Sequence, residues 1–308
     1  MHTAPIVLFV YNRPDHTRKT LQALQRNELA ASSELFVFAD GPKPGADAEA
    51  LKKIAEVRTI IREQQWCGKQ TIRESDTNKG LSVSILNGVT EVISKYQRVI
   101  VLEDDMITSP RFLNFMNSAL ELYEPQENVA CISAYFYPLT EPAPAAFFIK
   151  GADCWGWATW KRAWDTFERD GQKLLWELEH KKLEKEFDFE NTYPYIRMLK
   201  DQITGKNDSW AIRWYASAFL AGQLTLYPGK SMLRNTGSDG SGSHGGVTDN
   251  WDTEIAQQEP KLPNVIAEED ADVRQKMIRY FKSIRIYRVQ KMTLLRRIIR
   301  RIKKYLPK

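Results

Sequence analysis

Arg98-Val99-Ile100-Val101-Leu102-Glu103-Asp104-Asp105 is the stretch on which the reading of this chain turns. Four of its first five residues are branched and apolar, and three carboxylates follow without a break. A short, near-continuous apolar run suits a strand buried on both faces of a parallel sheet. Such sheets take ligands just beyond the carboxyl ends of their strands. Three acids packed there repel one another unless a cation or donor groups hold them. A divalent metal carrying a diphosphate fits that chemistry. A strand that simply runs into an acidic turn fits the same letters.

Upstream, residues 5–10 read as a first strand and Tyr11-Asn12-Arg13-Pro14 as the loop after it. Asp15 can cap a helix over 17–26. A second strand over 35–39 ends at Asp40-Gly41-Pro42, where Gly and Pro after an acid mark a loop. Helical spacing follows over 46–65, a short strand over 70–73, and a helix over 82–96 that opens after Asn78-Lys79-Gly80-Leu81. Strands and helices therefore alternate up to the acidic strand. That order belongs to the α/β class, a doubly wound sheet with right-handed crossovers.

Downstream, Ser109-Pro110 opens a helix over 111–123. Strands are expected over 130–133 and 147–149, and the aromatic run Cys154 to Trp160 comes next. Residues 164–199 read as charged and helical, 210–220 as a helix and 224–228 as a strand. The Gly/Ser-rich segment 235–246 reads as a loop.

The totals bound the rest. A chain of 308 residues with 43% hydrophobic content can build one large α/β domain with appendages. Mean hydropathy is −0.47, and no apolar run approaches the roughly 18 residues of a membrane span. The short run 6–10 lacks the layout of a secretory leader. Cys67, Cys131 and Cys154 are scattered, which fits free thiols in a reducing cytosol.

The net charge of +5 hides an asymmetry. Residues 273–308 hold 14 Lys and Arg and no acid, which leaves 44 − 14 = 30 basic against 39 acidic residues elsewhere. The expected organisation is a body over 1–250, divided near 108, a linker over 251–272, and a basic amphipathic helical tail over 273–308. Such a tail can lie on an anionic membrane or pack on the body. No base-reading module accompanies it, so nucleic acid is not an expected partner.

Taken together, Arg13, Asp40, Asn78-Lys79-Gly80-Leu81, Glu103-Asp104-Asp105, Gly156-Trp157, Asp208-Ser209-Trp210 and Gly242-Ser243-His244-Gly245 resemble a nucleotide-sugar glycosyltransferase of the GT-A (Rossmann-like) fold. The resemblance is to the N-acetylglucosaminyltransferase I type and related bacterial sugar transferases, over residues 5–246. It implies a mostly parallel sheet with flanking helices, a UDP-sugar donor, Mn²⁺ or Mg²⁺, and inversion at the transferred sugar.

The resemblance also implies residue roles. Asp105 matches the metal ligand, Asp104 faces the ribose, and Glu103 lies by the donor sugar. Asp40 matches the uracil contact, with Arg13 near the same nucleotide. Lys79 holds a nucleotide-contact position, though with a different residue type. His244 matches a loop that folds over the nucleotide, and contact with metal or diphosphate follows.

An attacking hydroxyl needs a general base. Asp208 is the candidate, with Asp201 and Asp153 behind it. The matching motif has two adjacent acids where this chain has Asp208-Ser209, and Asp208 also suits a helix N-cap. Aromatic faces stack on sugars, so Trp157 is expected near the donor sugar and Trp160 in the core. The expected acceptor is a glycan, lipid-linked, in bacterial surface polysaccharide synthesis. The expected location is cytoplasmic and peripheral, on the inner face of the cell membrane. A nucleotidyltransferase would need a Gly-bearing loop after strand one, which Tyr11-Asn12-Arg13-Pro14 lacks. A non-catalytic carbohydrate or nucleic-acid binder is a further alternative.

Overall fold

The computed structural model describes residues 3–240 and 247–284. The first half runs β1 (Ile6–Val10), α1 (Pro14–Gln25), β2 (Glu34–Ala39), α2 (Ala48–Ile60), β3 (Lys69–Glu74), α3 (Leu81–Tyr96) and β4 (Arg98–Glu103). This is the alternation read from the sequence. It continues through β5 (Met106–Thr108), α4 (Phe112–Leu122), β6 (Val129–Ser133), β7 (Ala146–Lys150), β8 (Trp157–Trp160) and α5 (Lys161–Trp164). Then come α6 (Gly171–His180), α7 (Glu184–Phe187), α8 (Tyr195–Ile203), α9 (Trp210–Leu220), β9 (Leu224–Pro228) and β10 (Leu233–Asn235). A last helix, α10, covers residues 271–284.

Eight strands form one sheet in the order β3-β2-β1-β4-β8-β6-β9-β7, while β5 and β10 pair as a separate ribbon. Only β8 and β7 run against the rest, so the carboxyl ends of six strands share one edge. This is a mostly parallel α/β sheet flanked by helices, consistent with a GT-A-like fold. Every residue of β1 is buried, as a strand covered on both faces requires. One face packs on α1, α2 and α4 and the other on α3, α5 and α9. A third cluster joins α6, α7, α8, α9 and α10.

Three features go beyond the sequence reading. Trp157 to Trp160 form a strand wedged between β4 and β6, with Trp157 opposite Val101. Residues 164–199 are helical as read, divided among α6, α7 and α8 after α5 ends at Trp164. The Asp170 carboxylate caps α6 by accepting from the N–H groups of Gln172 and Lys173. Left-handed Lys182, Phe189, Glu190 and Asn191 and Pro194 break the rest, because non-glycine residues at positive φ do not continue a helix.

The third concerns the tail. Its first turns belong to α10, where Val273, Met277, Ile278 and Phe281 are buried in the third cluster. Packing on the body, rather than a membrane, takes that apolar stripe. Residues 285–308, the remainder of the expected tail, lie outside the described residues. Among the described residues no helix is long and apolar enough to cross a membrane.

Candidate active site

The chain leaves β4 at Glu103 and turns at once into β5. Thr20 on α1 pins that turn. Its hydroxyl donates to the Asp104 carbonyl at 2.8 Å and accepts from the Met106 N–H at 3.1 Å. The turn sets three carboxylates at the sheet's edge, in front of the loop between β1 and α1. From that loop, Nη2 of Arg13 donates to Asp104 Oδ1 and, at 2.9 Å, to Asp105 Oδ2. Burial alone would lower the Arg13 pKa, but the charges and hydrogen bonds of Asp104 and Asp105 prevail and hold it well above the usual arginine range.

The acids are charged at a cost. Burial first, then the negative charges of Asp105 and Asp104, push the Glu103 carboxyl up to about 8. Asp104 is also raised by burial, against the opposing charge of Arg13. One guanidinium therefore offsets the acidic cluster only in part. Two atoms stay unsatisfied: Arg13 Nη1 and Asp105 Oδ1 are buried without a hydrogen-bond partner. Orphaned buried polar atoms are uncommon in folded proteins, and a water, an ion or a ligand can satisfy them.

The ribbon of β5 and β10 closes the back of the cluster. The Thr236 N–H and hydroxyl both donate to the Asp105 carbonyl, at 2.8 and 3.0 Å. A Cβ on Gly237 would stand 2.2 Å from Asp105 Oδ2, so only glycine lets the backbone pass so close. His16 sits on the same helical face as Arg13, with Nε2 3.2 Å from Asp239 Oδ2. Sequence reading missed both His16 and Thr20. The only available signal was their spacing from Arg13 on one helix.

Asp40 closes β2 as expected, yet its carboxylate is engaged. Oδ1 accepts from the N–H groups of Gly41 and Lys79, both at 2.8 Å. Oδ2 accepts from the Gly80 N–H and the Asn78 side-chain amide, both at 3.0 Å. A carboxylate offers about four acceptor sites, so Asp40 builds the loop ahead of α3, and a further ligand would have to displace one of these bonds. The Lys79 side chain is exposed.

The cap of α9 is Ser209, whose hydroxyl accepts from the Ile212 N–H at 3.3 Å. Asp208 is thereby not the cap. It is exposed, with Oδ2 3.9 Å from where a Cβ on Gly80 would stand. Asp201 is ion-paired to Lys206 and Arg197 on the surface of α8. The Asp153 carboxylate accepts from the N–H groups of Cys154 and Trp155 and from the Tyr227 hydroxyl. Burial nonetheless raises its pKa above the usual aspartate value.

Trp157 is corrected from sugar contact to core. It is fully buried, and its ring lies 5.4 to 6.0 Å from those of Trp164, Trp210 and Trp214. Trp160 is buried as expected. Gly156 permits a close approach by Leu233 rather than by a ligand. His244 lies outside the described residues.

Among the described residues no group of three or more His, Cys, Asp and Glu is arranged to hold a metal alone. Mg²⁺-type sites do not require one, because one or two carboxylates, waters and substrate phosphates complete the shell. Asp105, with Oδ1 unpaired, fits that donor set.

No protein-family model matches the chain, and no curated protein matches it. Among solved structures, that of S. aureus TarS is similar at 13% identity and a TM-score of 0.28, over 48% of this chain and 24% of that one. At that level the likeness says nothing about activity. No comparison singles out the N-acetylglucosaminyltransferase I type.

Proposed function

We propose that the chain is a metal-dependent, inverting glycosyltransferase that moves a sugar from a UDP-sugar to a hydroxyl of a glycan acceptor. The observation that carries this reading is the orphaned pair at the strand tips. Asp105 Oδ1 is an acceptor without a donor, and Arg13 Nη1 is a donor without an acceptor. A cation paired with a phosphate satisfies both, one pole each. Mn²⁺ or Mg²⁺ held by Asp105 supplies charge stabilisation for the departing diphosphate. Arg13 is left to donate to a phosphate oxygen, with Asp104 toward the ribose and Glu103 toward the donor sugar. Asp40 shapes the neighbouring loop, which carries Lys79. Proton removal from the acceptor falls to Asp208 or Asp153.

A lipid-linked acceptor and retention on an anionic membrane rest on residues 285–308, which hold ten Lys and Arg and no acid.

The test is calorimetric titration of UDP, with and without Mn²⁺, alongside hydrolysis of a panel of UDP-sugars. Wild type should bind UDP far more tightly with Mn²⁺ and hydrolyse at least one donor. Asp105→Asn should lose both properties while keeping its melting temperature. UDP binding indifferent to Mn²⁺, or unchanged in Asp105→Asn, would remove the assignment.

A further inference from the structure

Five half-buried aromatic residues from five separate stretches meet in one cluster. Tyr137 follows β6, Trp155 precedes β8, Tyr193 precedes α8, Trp251 follows β10, and Tyr280 rides on α10. Trp251 is the hub. Its ring centroid lies 5.9 to 6.4 Å from those of the other four, with planes inclined by 66 to 80°. Each edge-to-face contact covers one ring face, and what remains open to a ligand is the part of each ring that reaches the surface. Burial alone does not account for the group, because the neighbouring Tyr135, Phe136 and Phe281 are 1%, 3% and 0% exposed, whereas these five reach the surface.

Asp153 lies at the inner end. Its Oδ1 accepts from the Trp155 N–H at 3.2 Å and its Oδ2 from the Tyr227 hydroxyl at 2.9 Å. The adjoining Cys154 thiol is raised by burial and then by the negative charges of Asp153, Glu103 and Asp105. The Asp153-Cys154-Trp155 turn leads directly into Trp157 of β8, which pairs with Val101 of β4 two residues before Glu103, and so links the aromatic cup to the acidic strand.

We propose that this cup binds a pyranose ring of the acceptor glycan and that Asp153 takes the proton of the hydroxyl that attacks. The inference rests on the transferase reading and deepens it. A pyranose ring has an apolar C–H face, which aromatic rings cover, and a hydroxyl rim, which carboxylate and phenol oxygens bind. As the acceptor oxygen bonds to the anomeric carbon, the bond from that carbon to the diphosphate breaks. The hydroxyl proton passes to the Asp153 carboxylate, and the electron pair leaves with the diphosphate.

Calorimetry of the full chain tests this, with methyl pyranosides of glucose, galactose, mannose and N-acetylglucosamine as probes and UDP with Mn²⁺ titrated separately. At least one pyranoside should bind saturably. Trp251→Ala should weaken it about tenfold and leave UDP affinity unchanged, with Trp251→Phe as the milder variant should the alanine form fail to fold. Asp153→Asn should keep both affinities and lose transfer to that pyranoside. No pyranoside binding, or binding unaltered in both Trp251 variants, overturns the cup. Transfer retained by Asp153→Asn overturns the role of Asp153. Pyranoside binding without UDP binding overturns the transferase reading and leaves the cup standing.

Discussion

Asp153 accepts three hydrogen bonds and still binds its proton more tightly than a free aspartate, because burial outweighs them. Its pKa is raised on folding, so the linked stability is present in acid and is lost as pH rises from about 3.8 through the raised value. Asp153→Asn removes this slope. Denaturant melts at about pH 4 and about pH 7 should show a flatter profile and a gain of ~1 kcal/mol at the higher pH. A loss at both pH values would mean that the hydrogen bonds outweigh the charge. Arg13 presents the opposite case. Arg13→Ala leaves Asp104 and Asp105 buried without their counter-charge, at a cost of about 3 kcal/mol. Added Mn²⁺ should restore part of the lost melting temperature, by binding the same carboxylates. No recovery would place the cation elsewhere.

At the scale of elements, the alternation from β1 to β4 was legible because each strand is a short apolar run and each helix has its own apolar stripe. Residues 164–199 were legible as helical but not in their boundaries, because aromatic anchors, not periodicity, decide where those helices stop. Phe187 packs on Tyr215 and Phe219 of α9, which folds the α7–α8 stretch back on itself. Asp40 shows the same dependence on the surroundings: its letter suggested a ligand contact, and its four bonds make it the organiser of a loop. Gly237→Ala should push the ribbon off Asp105 and abolish the effect of Mn²⁺ on UDP affinity, with only a small fall in melting temperature. Calorimetry beside a thermal melt reads both quantities. Unchanged Mn²⁺ dependence would show that the backbone at Gly237 does not set the position of Asp105.

For the whole molecule, the basic end is two parts. Four apolar side chains of α10 are buried, each worth about 1.5–3 kcal/mol. Their sum approaches the 5–15 kcal/mol that holds a typical domain together. Truncation before residue 271 should therefore give unfolded or insoluble protein. Truncation after residue 284 should leave the melting temperature and UDP affinity intact while removing binding to anionic liposomes, measured by co-sedimentation. Liposome binding that survives would move the membrane contact onto the body.

By itself the sequence determined the α/β class, the buried β4, the three acids at its tip and the place of Arg13 before a helix. Those follow from local patterns: apolar runs, caps and charge. Only the tertiary structure decided that Trp157 is core, that β8 runs antiparallel beside β4, that Ser209 rather than Asp208 caps α9, and that α10 packs on the body. It alone brought Tyr137, Trp155, Tyr193, Trp251 and Tyr280 to one place. The reason is physical: burial and partner choice depend on residues far apart along the chain, and a local pattern carries no record of which surface will cover it.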